Sequence, residues 1–296
     1  MRIRKIGVFL LLSAFFAAGF AQERQRLRIG ISLHPYYSFA RNIVQDRAEV
    51  IPMINAAANP HGYRIIPEDI ERAMGLNAVI LNGVGHDEFA LQILRAAGNY
   101  NSIHKIFAND GVALIPQSIN TNQVNSHTFI SISAAVQQIF TIANRLAEID
   151  PTNAAFYRQN AQRYARQLRQ LRAEFMEKLA DYKGTDFRTA TIHGGYSYLL
   201  QEFGFQVEAV IEPSHGIAPS ASQMMETIEK IRAADVQVVF SESDFPPAFL
   251  RTIQEATGVR VVTLSHLSYG DHSAEFFERG MRFNLEQLLR AVSGRD

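Results

Sequence analysis

Cysteine is absent from this sequence of 296 residues. Without cysteine there are no disulfide bonds, no thiolate metal sites, no cysteine nucleophiles and no lipid anchor on an N-terminal cysteine. An excess of charge of either sign is also lacking, because 29 basic residues balance 29 acidic residues. This balance argues against nucleic acid or an anionic membrane surface as a partner.

Long apolar runs are confined to the N-terminus. Three basic residues within the first five positions precede an apolar run from Ile6 to Phe20, and Gly19-Phe20-Ala21 matches a small-x-small cleavage site. We therefore predict a signal peptide over residues 1–21 and a mature chain with 26 basic and 29 acidic residues. No later run of 18 apolar residues could span a membrane. The expected location is a periplasm, where an exported, unanchored protein is retained.

The longest periodic stretch runs from Pro151 to Lys183. Its apolar residues recur at spacings of three and four, which is typical of one face of an α-helix. Asp150-Pro151 at its start and Gly184 after its end are common helix boundary residues. The apolar stripe consists of Tyr157, Ala161, Tyr164, Leu168, Leu171, Phe175, Leu179 and Tyr182.

Strand patterns alternate with helical patterns on both sides of this stretch, which indicates parallel sheets with crossover helices. We predict an α/β fold of two lobes, residues 22–150 and 184–296, with mostly parallel sheets flanked by helices and joined by one long rigid helix over residues 151–183. The alternative is a single domain along which that helix lies. The predicted strands cover residues 27–32, 49–54, 78–81, 112–115, 188–192, 206–211, 236–240 and 259–264.

Three of the nine histidines lie where a strand or loop leads into a helix. His61, His127 and His193 belong to loops expected at the carboxyl ends of the strands, where open α/β sheets bind ligands. Gly194-Gly195 would let the backbone approach a bound object closely. Imidazole is a good zinc ligand, but the spacing alone leaves a metal site and ordinary surface histidines both open.

Six short motifs resemble those of the zinc- and manganese-binding solute receptors of bacterial ABC importers, and the resemblance covers the whole mature chain. Their order along the chain is the family's order. The motifs are Asn59-Pro60-His61-Gly62-Tyr63 with Pro67-Glu68-Asp69-Ile70, Asn82-Gly83-Val84-Gly85, Ser126-His127-Thr128-Phe129 with Phe for the usual Trp, His193-Gly194-Gly195-Tyr196-Ser197-Tyr198, Glu212-Pro213 through Pro219-Ser220, and Asn284-Leu285.

The resemblance implies that His61, His127 and His193 are metal ligands. Members of this family often supply an aspartate before the last helix as a fourth ligand. Counting back from the Asn-Leu motif without gaps leads to Glu275, which we prefer, whereas matching a local Gly-Asp pair leads to Asp271. A water molecule in that place is a further possibility, and an acid at a helix N-terminus is also favourable with no metal at all.

The resemblance implies a binding protein rather than an enzyme, which captures Zn²⁺ in the periplasm and delivers it to an ABC importer permease in the inner membrane. Mn²⁺ is the alternative cargo, although the histidine at the third ligand position favours zinc. The family's long His/Asp-rich loop is absent. We expect a monomer.

Two other functions are compatible with the sequence. Three histidines with an open position could activate water in an exported zinc hydrolase, but no general base or G-x-S-x-G nucleophile accompanies them. A receptor for another ligand, such as a chelate, could use the histidines as hydrogen-bond partners. His215 and His272 are candidate auxiliary residues, and Glu212 and Glu242 at strand ends are candidates to hydrogen-bond the ligand histidines.

Overall fold

The computed structural model describes residues 26–117, 123–211, 220–243 and 245–294. The predicted signal peptide, Glu212 and His215 lie outside the described residues. Within them, two parallel four-stranded sheets form two lobes with the same strand order, second-first-third-fourth. The first sheet contains β1 (Leu27–Ile31), β2 (Ala48–Pro52), β3 (Ala78–Leu81) and β4 (His104–Phe107), and the second contains β5 (Thr189–Thr191), β6 (Val207–Val210), β7 (Val238–Glu242) and β8 (Arg260–Leu264).

Helices connect the parallel strands of each lobe, as parallel pairing requires. This agrees with the predicted α/β fold of two lobes. The helices are α1 (His34–Val44), α2 (Pro67–Ala73), α3 (Glu88–Ala96), α4 (Ile132–Ile149), α5 (Ala154–Lys178), α6 (Ser197–Glu202), α7 (Ala221–Ala233), α8 (Pro247–Thr257) and α9 (Phe276–Ser293).

The long helix α5 joins the two lobes. Its 25 residues extend about 37 Å, and short 3₁₀ turns at Pro151–Asn153 and Ala180–Tyr182 flank it within the predicted range. The predicted apolar stripe is buried along its length, except that Tyr182 is half-buried. Helix α5 packs against α4 and α1, and α9 returns from the second lobe to pack on α1 and α5. The predicted boundaries after residues 150 and 183 stay a prediction.

One large apolar core runs through the first lobe, the central helices and the inner face of the second sheet. A smaller core lies between the second sheet and α7 and α8. No helix within the described residues is both long and apolar enough to cross a bilayer.

One predicted strand is wrong. Residues 112–115 form no strand, and the fourth strand of the first sheet is instead β4. This strand lies at the edge of the sheet, and Ile106 is its one fully buried side chain. An edge strand buries little apolar surface, so its sequence carries no apolar run that would reveal it.

Candidate metal centre

Four histidines follow the carboxyl ends of four different strands. His61 lies in the loop after β2, His127 in the segment between β4 and α4, His193 two residues after β5, and His266 two residues after β8. The two sheets point these loops at one another, so side chains from both lobes meet between them.

The four imidazoles converge on one point. Each offers a ligand atom, and these atoms all lie within 4.8 Å of one another. The six distances between ring centres range from 4.4 Å to 5.6 Å. Around a tetrahedral zinc ion with Zn–N bonds of about 2.0–2.1 Å, imidazole ring centres lie about 5 Å apart. The cluster therefore has the dimensions of a four-coordinate metal site.

Asn125 determines which nitrogen of His127 faces the cluster. The amide oxygen of Asn125 lies 2.8 Å from His127 Nδ1 and 3.1 Å from its backbone nitrogen. Because an amide oxygen only accepts hydrogen bonds, Nδ1 carries the proton and Nε2 presents a lone pair. His193 Nε2 lies 2.8 Å from that Nε2 and donates its proton to it. A metal ion would replace this shared proton, moving the two nitrogens to about 3.4 Å apart.

His266 is buried, and its Nδ1 lies 2.7 Å from the hydroxyl of Ser268. When Nδ1–H donates to this hydroxyl, Nε2 presents a lone pair in the same way. Asn284 in α9 holds the preceding residue, since its side chain accepts a hydrogen bond from Ser265 N at 2.7 Å and donates one to Ser265 O at 2.8 Å. The Asn-Leu motif of the last helix therefore positions the His266 loop.

The loop that carries His61 is held by Asp69 in α2. This fully buried carboxylate accepts hydrogen bonds from Tyr63 OH at 2.8 Å and from Ile66 N at 3.0 Å, and it forms an ion pair with Arg72 at 2.6 Å. These contacts of Asp69 fix the part of the loop after His61 to the first lobe.

Burial lowers the pKa of His127 well below its usual value, and the neighbouring imidazoles lower it further. A positive charge here would lie in an apolar interior among other potential cations. His127 is therefore neutral at physiological pH, which is the form that a metal ligand needs.

Gly195 is required by the crowding at this centre. A Cβ atom at Gly195 would lie 3.0 Å from the ring carbons Cγ and Cδ2 of His127, whereas one at Gly194 would meet no atom within 4 Å. The expected close approach of backbone therefore occurs at Gly195, against the rings of His127 and His193.

A fifth imidazole flanks the four. The ring centre of His86, in the loop after β3, lies 4.3 Å from those of both His61 and His127. Its donor atoms are not part of the convergent group of four.

Glu275, the preferred fourth residue, is not in this group. It is exposed and lies at the N-terminal end of α9. Asp271 is also exposed, and its carboxylate pairs with Arg279. His266 instead completes the set of four. Counting back from Asn284 missed it, but its position two residues after a strand, like that of His193, is a signal that could have revealed it.

The remaining candidates are not members of the group of four. His272 stacks on His34 with ring centres 4.3 Å apart, outside the convergent group. Glu242 is buried at the carboxyl end of β7, and its role toward a ligand histidine stays a prediction.

Comparison with known proteins places these features in context. The model of the family ZnuA, zinc-uptake complex component A, periplasmic, matches residues 29–291. The manganese ABC transporter substrate-binding lipoprotein PsaA of Streptococcus pneumoniae is 20% identical, with 97% of this chain and 95% of PsaA covered. The iron-binding protein YfeA of Yersinia pestis is 27% identical over 75% of this chain and 71% of YfeA.

A solved structure is more similar in sequence. The SBP FpvC from Pseudomonas aeruginosa, in complex with Ni²⁺, is 50% identical with a TM-score of 0.86, covering 92% of this chain and 98% of that one. A second structure of FpvC, in complex with Mn²⁺, gives the same identity and TM-score. A crystal structure of ZnuA, 22% identical with a TM-score of 0.77, covers 90% of this chain and all of that one, and it shares the fold. The chain therefore belongs to the ZnuA family of periplasmic metal-binding receptors that serve ABC metal importers.

Proposed function

We propose that this protein captures a divalent transition-metal ion between its lobes, with His61, His127, His193 and His266 as ligands, and delivers it to an ABC importer. The observation that carries the proposal is the convergence of the four ligand atoms within 4.8 Å of one another. We expect Zn²⁺ to be preferred over Ni²⁺ and Mn²⁺ when the three ions compete at equal concentration.

The chemistry of the donors supports zinc. Four imidazoles form a nitrogen-only set, and no carboxylate joins them among the described residues. Imidazole suits zinc, copper, iron and nickel, whereas Mn²⁺ favours carboxylate and water oxygens. The spacing of the rings is close to that of tetrahedral zinc coordination. Structures of FpvC have been solved with Ni²⁺ and with Mn²⁺, so both ions should be tested against Zn²⁺ in a binding competition experiment.

The number of ligands favours a receptor over a hydrolase. Hydrolytic zinc sites keep three protein ligands and leave the fourth position to water. A fourth histidine occupies that position, so a tetrahedral ion has no site for a reactive water. We also propose that the protein works in the periplasm, as the family description states, and as a monomer.

The test is a metal titration of the purified, metal-stripped protein. We expect one Zn²⁺ per chain with submicromolar affinity, an affinity loss of about 100-fold or more in His266→Ala, and retention of Zn²⁺ over Ni²⁺ and Mn²⁺ in competition. His104→Ala is the matched control, because this exposed histidine on β4 lies outside the site. Binding that is not stoichiometric, or that is indifferent to His266→Ala, would contradict the proposal.

A further inference from the structure

We propose that His86 is a fifth metal ligand, which is recruited by ions that require more than four donors and is left aside by four-coordinate zinc. This inference rests on the proposed function and extends it to the range of cargo. His86 lies against one edge of the centre, with its ring 4.3 Å from those of His61 and His127.

The backbone of His86 is held in an unfavourable conformation. Its φ angle of +68° lies in the left-handed region, which residues with a Cβ atom adopt at a cost. The neighbouring Gly83 and Gly85 also have positive φ angles, of +79° and +111°. Strained residues of this kind persist where the surrounding structure enforces them, and they cluster at ligand sites. The turn directs an imidazole toward the centre.

The side chain of Asn82 stabilises this turn through hydrogen bonds. Its side-chain nitrogen donates to Gly85 O at 2.8 Å and to Ser126 O at 2.9 Å, and its side-chain oxygen accepts from Tyr36 OH at 2.5 Å. Asn82 is fully buried. Because Ser126 directly precedes His127, these hydrogen bonds fix the position of the His86 turn relative to His127.

The ring of His86 is spaced from those of His61 and His127 much as the rings of His127 and His193 are from each other, at 4.4 Å. Ligand rings at right angles around a metal have centres about 4.5 Å apart, against about 5 Å for a tetrahedral pair. His86 lies at the shorter spacing from both neighbours, whereas His61 and His127 are 5.4 Å apart. An ion with five or six ligands uses right-angled positions. An ion with four uses the convergent set, of which His86 is not a member.

The ions differ in the coordination number that they accept. Zinc is satisfied by four ligands, while Ni²⁺ and Mn²⁺ favour tetragonal or octahedral surroundings. FpvC, half of whose aligned residues are identical to this chain's, has been solved with both of these ions. A fifth imidazole would let one site hold ions of either class.

The test compares His86→Asn and His86→Gly with the unmodified protein. Asparagine and glycine both tolerate the left-handed conformation, and neither supplies an imidazole, so each should preserve the turn. We expect the affinity for Ni²⁺ and Mn²⁺ to fall about tenfold or more in both variants, and the affinity for Zn²⁺ to stay unchanged. Competition against a chromogenic chelator measures all three.

Co²⁺ absorption gives a second measurement, because four-coordinate Co²⁺ absorbs visible light much more strongly than five- or six-coordinate Co²⁺. Because Co²⁺ takes a fifth ligand where one is offered, it should recruit His86, so we expect weak bands in the unmodified protein and stronger bands in both variants. Unchanged Ni²⁺ affinity, an equal loss for Zn²⁺ and Ni²⁺, or an unchanged Co²⁺ spectrum would overturn the role of His86 alone. Absence of stoichiometric metal from the unmodified protein would overturn the proposed function as well.

Discussion

The side chain of Asn125 accepts a hydrogen bond from His127 Nδ1 at 2.8 Å, and its amide nitrogen donates to the carbonyl oxygen of Gly194 at 2.8 Å. One side chain thus fixes the protonated nitrogen of His127 in one lobe and holds the loop of His193 in the other. Tyr198 reinforces the link, since its hydroxyl donates to Asn125 O at 2.8 Å. The His127–His193 pair is therefore preassembled across the lobe boundary.

Replacing Asn125 tests this arrangement. We expect Asn125→Ala to lower metal affinity about 10- to 100-fold, because residues that orient metal-bound histidines have effects of this size. Asn125→Asp keeps an acceptor for His127 but loses the donor to Gly194, so it separates the two functions. Chelator competition measures both variants. An Asn125→Ala protein with unchanged affinity would show that His127 is oriented without this hydrogen bond.

The two glycines after His193 provide a matched pair of variants. We expect Gly195→Ala to weaken metal binding, because its methyl group would lie 3.0 Å from carbons of the His127 ring and displace it. Gly194→Ala should bind metal normally, since its methyl group would meet no atom within 4 Å. The same titration measures the two proteins. Equal affinities would mean that the His127 ring moves aside without loss of coordination.

Glu202 joins the lobes through the N-terminus of α4. Its carboxylate accepts hydrogen bonds from Ile132 N at 2.9 Å and Ser133 N at 3.0 Å and forms an ion pair with Arg172 of α5 at 2.7 Å. We expect Glu202→Ala to lower the free energy of unfolding by about 2–3 kcal/mol, because the backbone N–H of buried Ile132 and the partly buried Arg172 lose their acceptor.

Denaturant unfolding measures this change. Glu226→Ala is the control, because the ion pair between Glu226 and Lys230 is exposed and its loss should leave the free energy of unfolding nearly unchanged. Similar losses in the two variants would contradict the assigned role of Glu202.

The sequence predicted the two lobes and the long helix because their signals are local. Alternating strands and helices, and the stripe from Tyr157 to Tyr182, repeat over many residues. It also predicted His61, His127 and His193 as candidate ligands, and the structure brings these three side chains together. β4 was missed because an edge strand buries too little apolar surface to leave a pattern.

His266 and His86 were missed for a different reason. Neither belongs to a motif of the resemblance, and their proximity to the other histidines depends on how the strand-end loops of two sheets face one another. A position just after a strand marks such a histidine as a candidate, but which of these strand-end residues meet is a tertiary relationship with no local sequence signal. Asn284 is a further example. Counting back along the sequence from Asn284 led to Glu275, whereas in the structure its side chain hydrogen-bonds to Ser265, the residue before His266.

The stacked pair His34 and His272, outside the four-histidine centre, makes the folding stability depend on pH. Burial and, to a smaller extent, the nearby His34 together lower the pKa of His272 to about 4, while Asp271 opposes the shift. Between about pH 4 and pH 6.5 the unfolded chain therefore binds a proton that the folded chain does not, so the stability contribution present at neutral pH is lost as the pH falls through this range. We expect His272→Phe, which keeps an aromatic ring beside His34 and Tyr37, to lose less stability than the unmodified protein between pH 7 and pH 4. Denaturant unfolding of the metal-free proteins at each pH measures the difference, and parallel stability profiles would show that His272 titrates alike in the folded and unfolded chains.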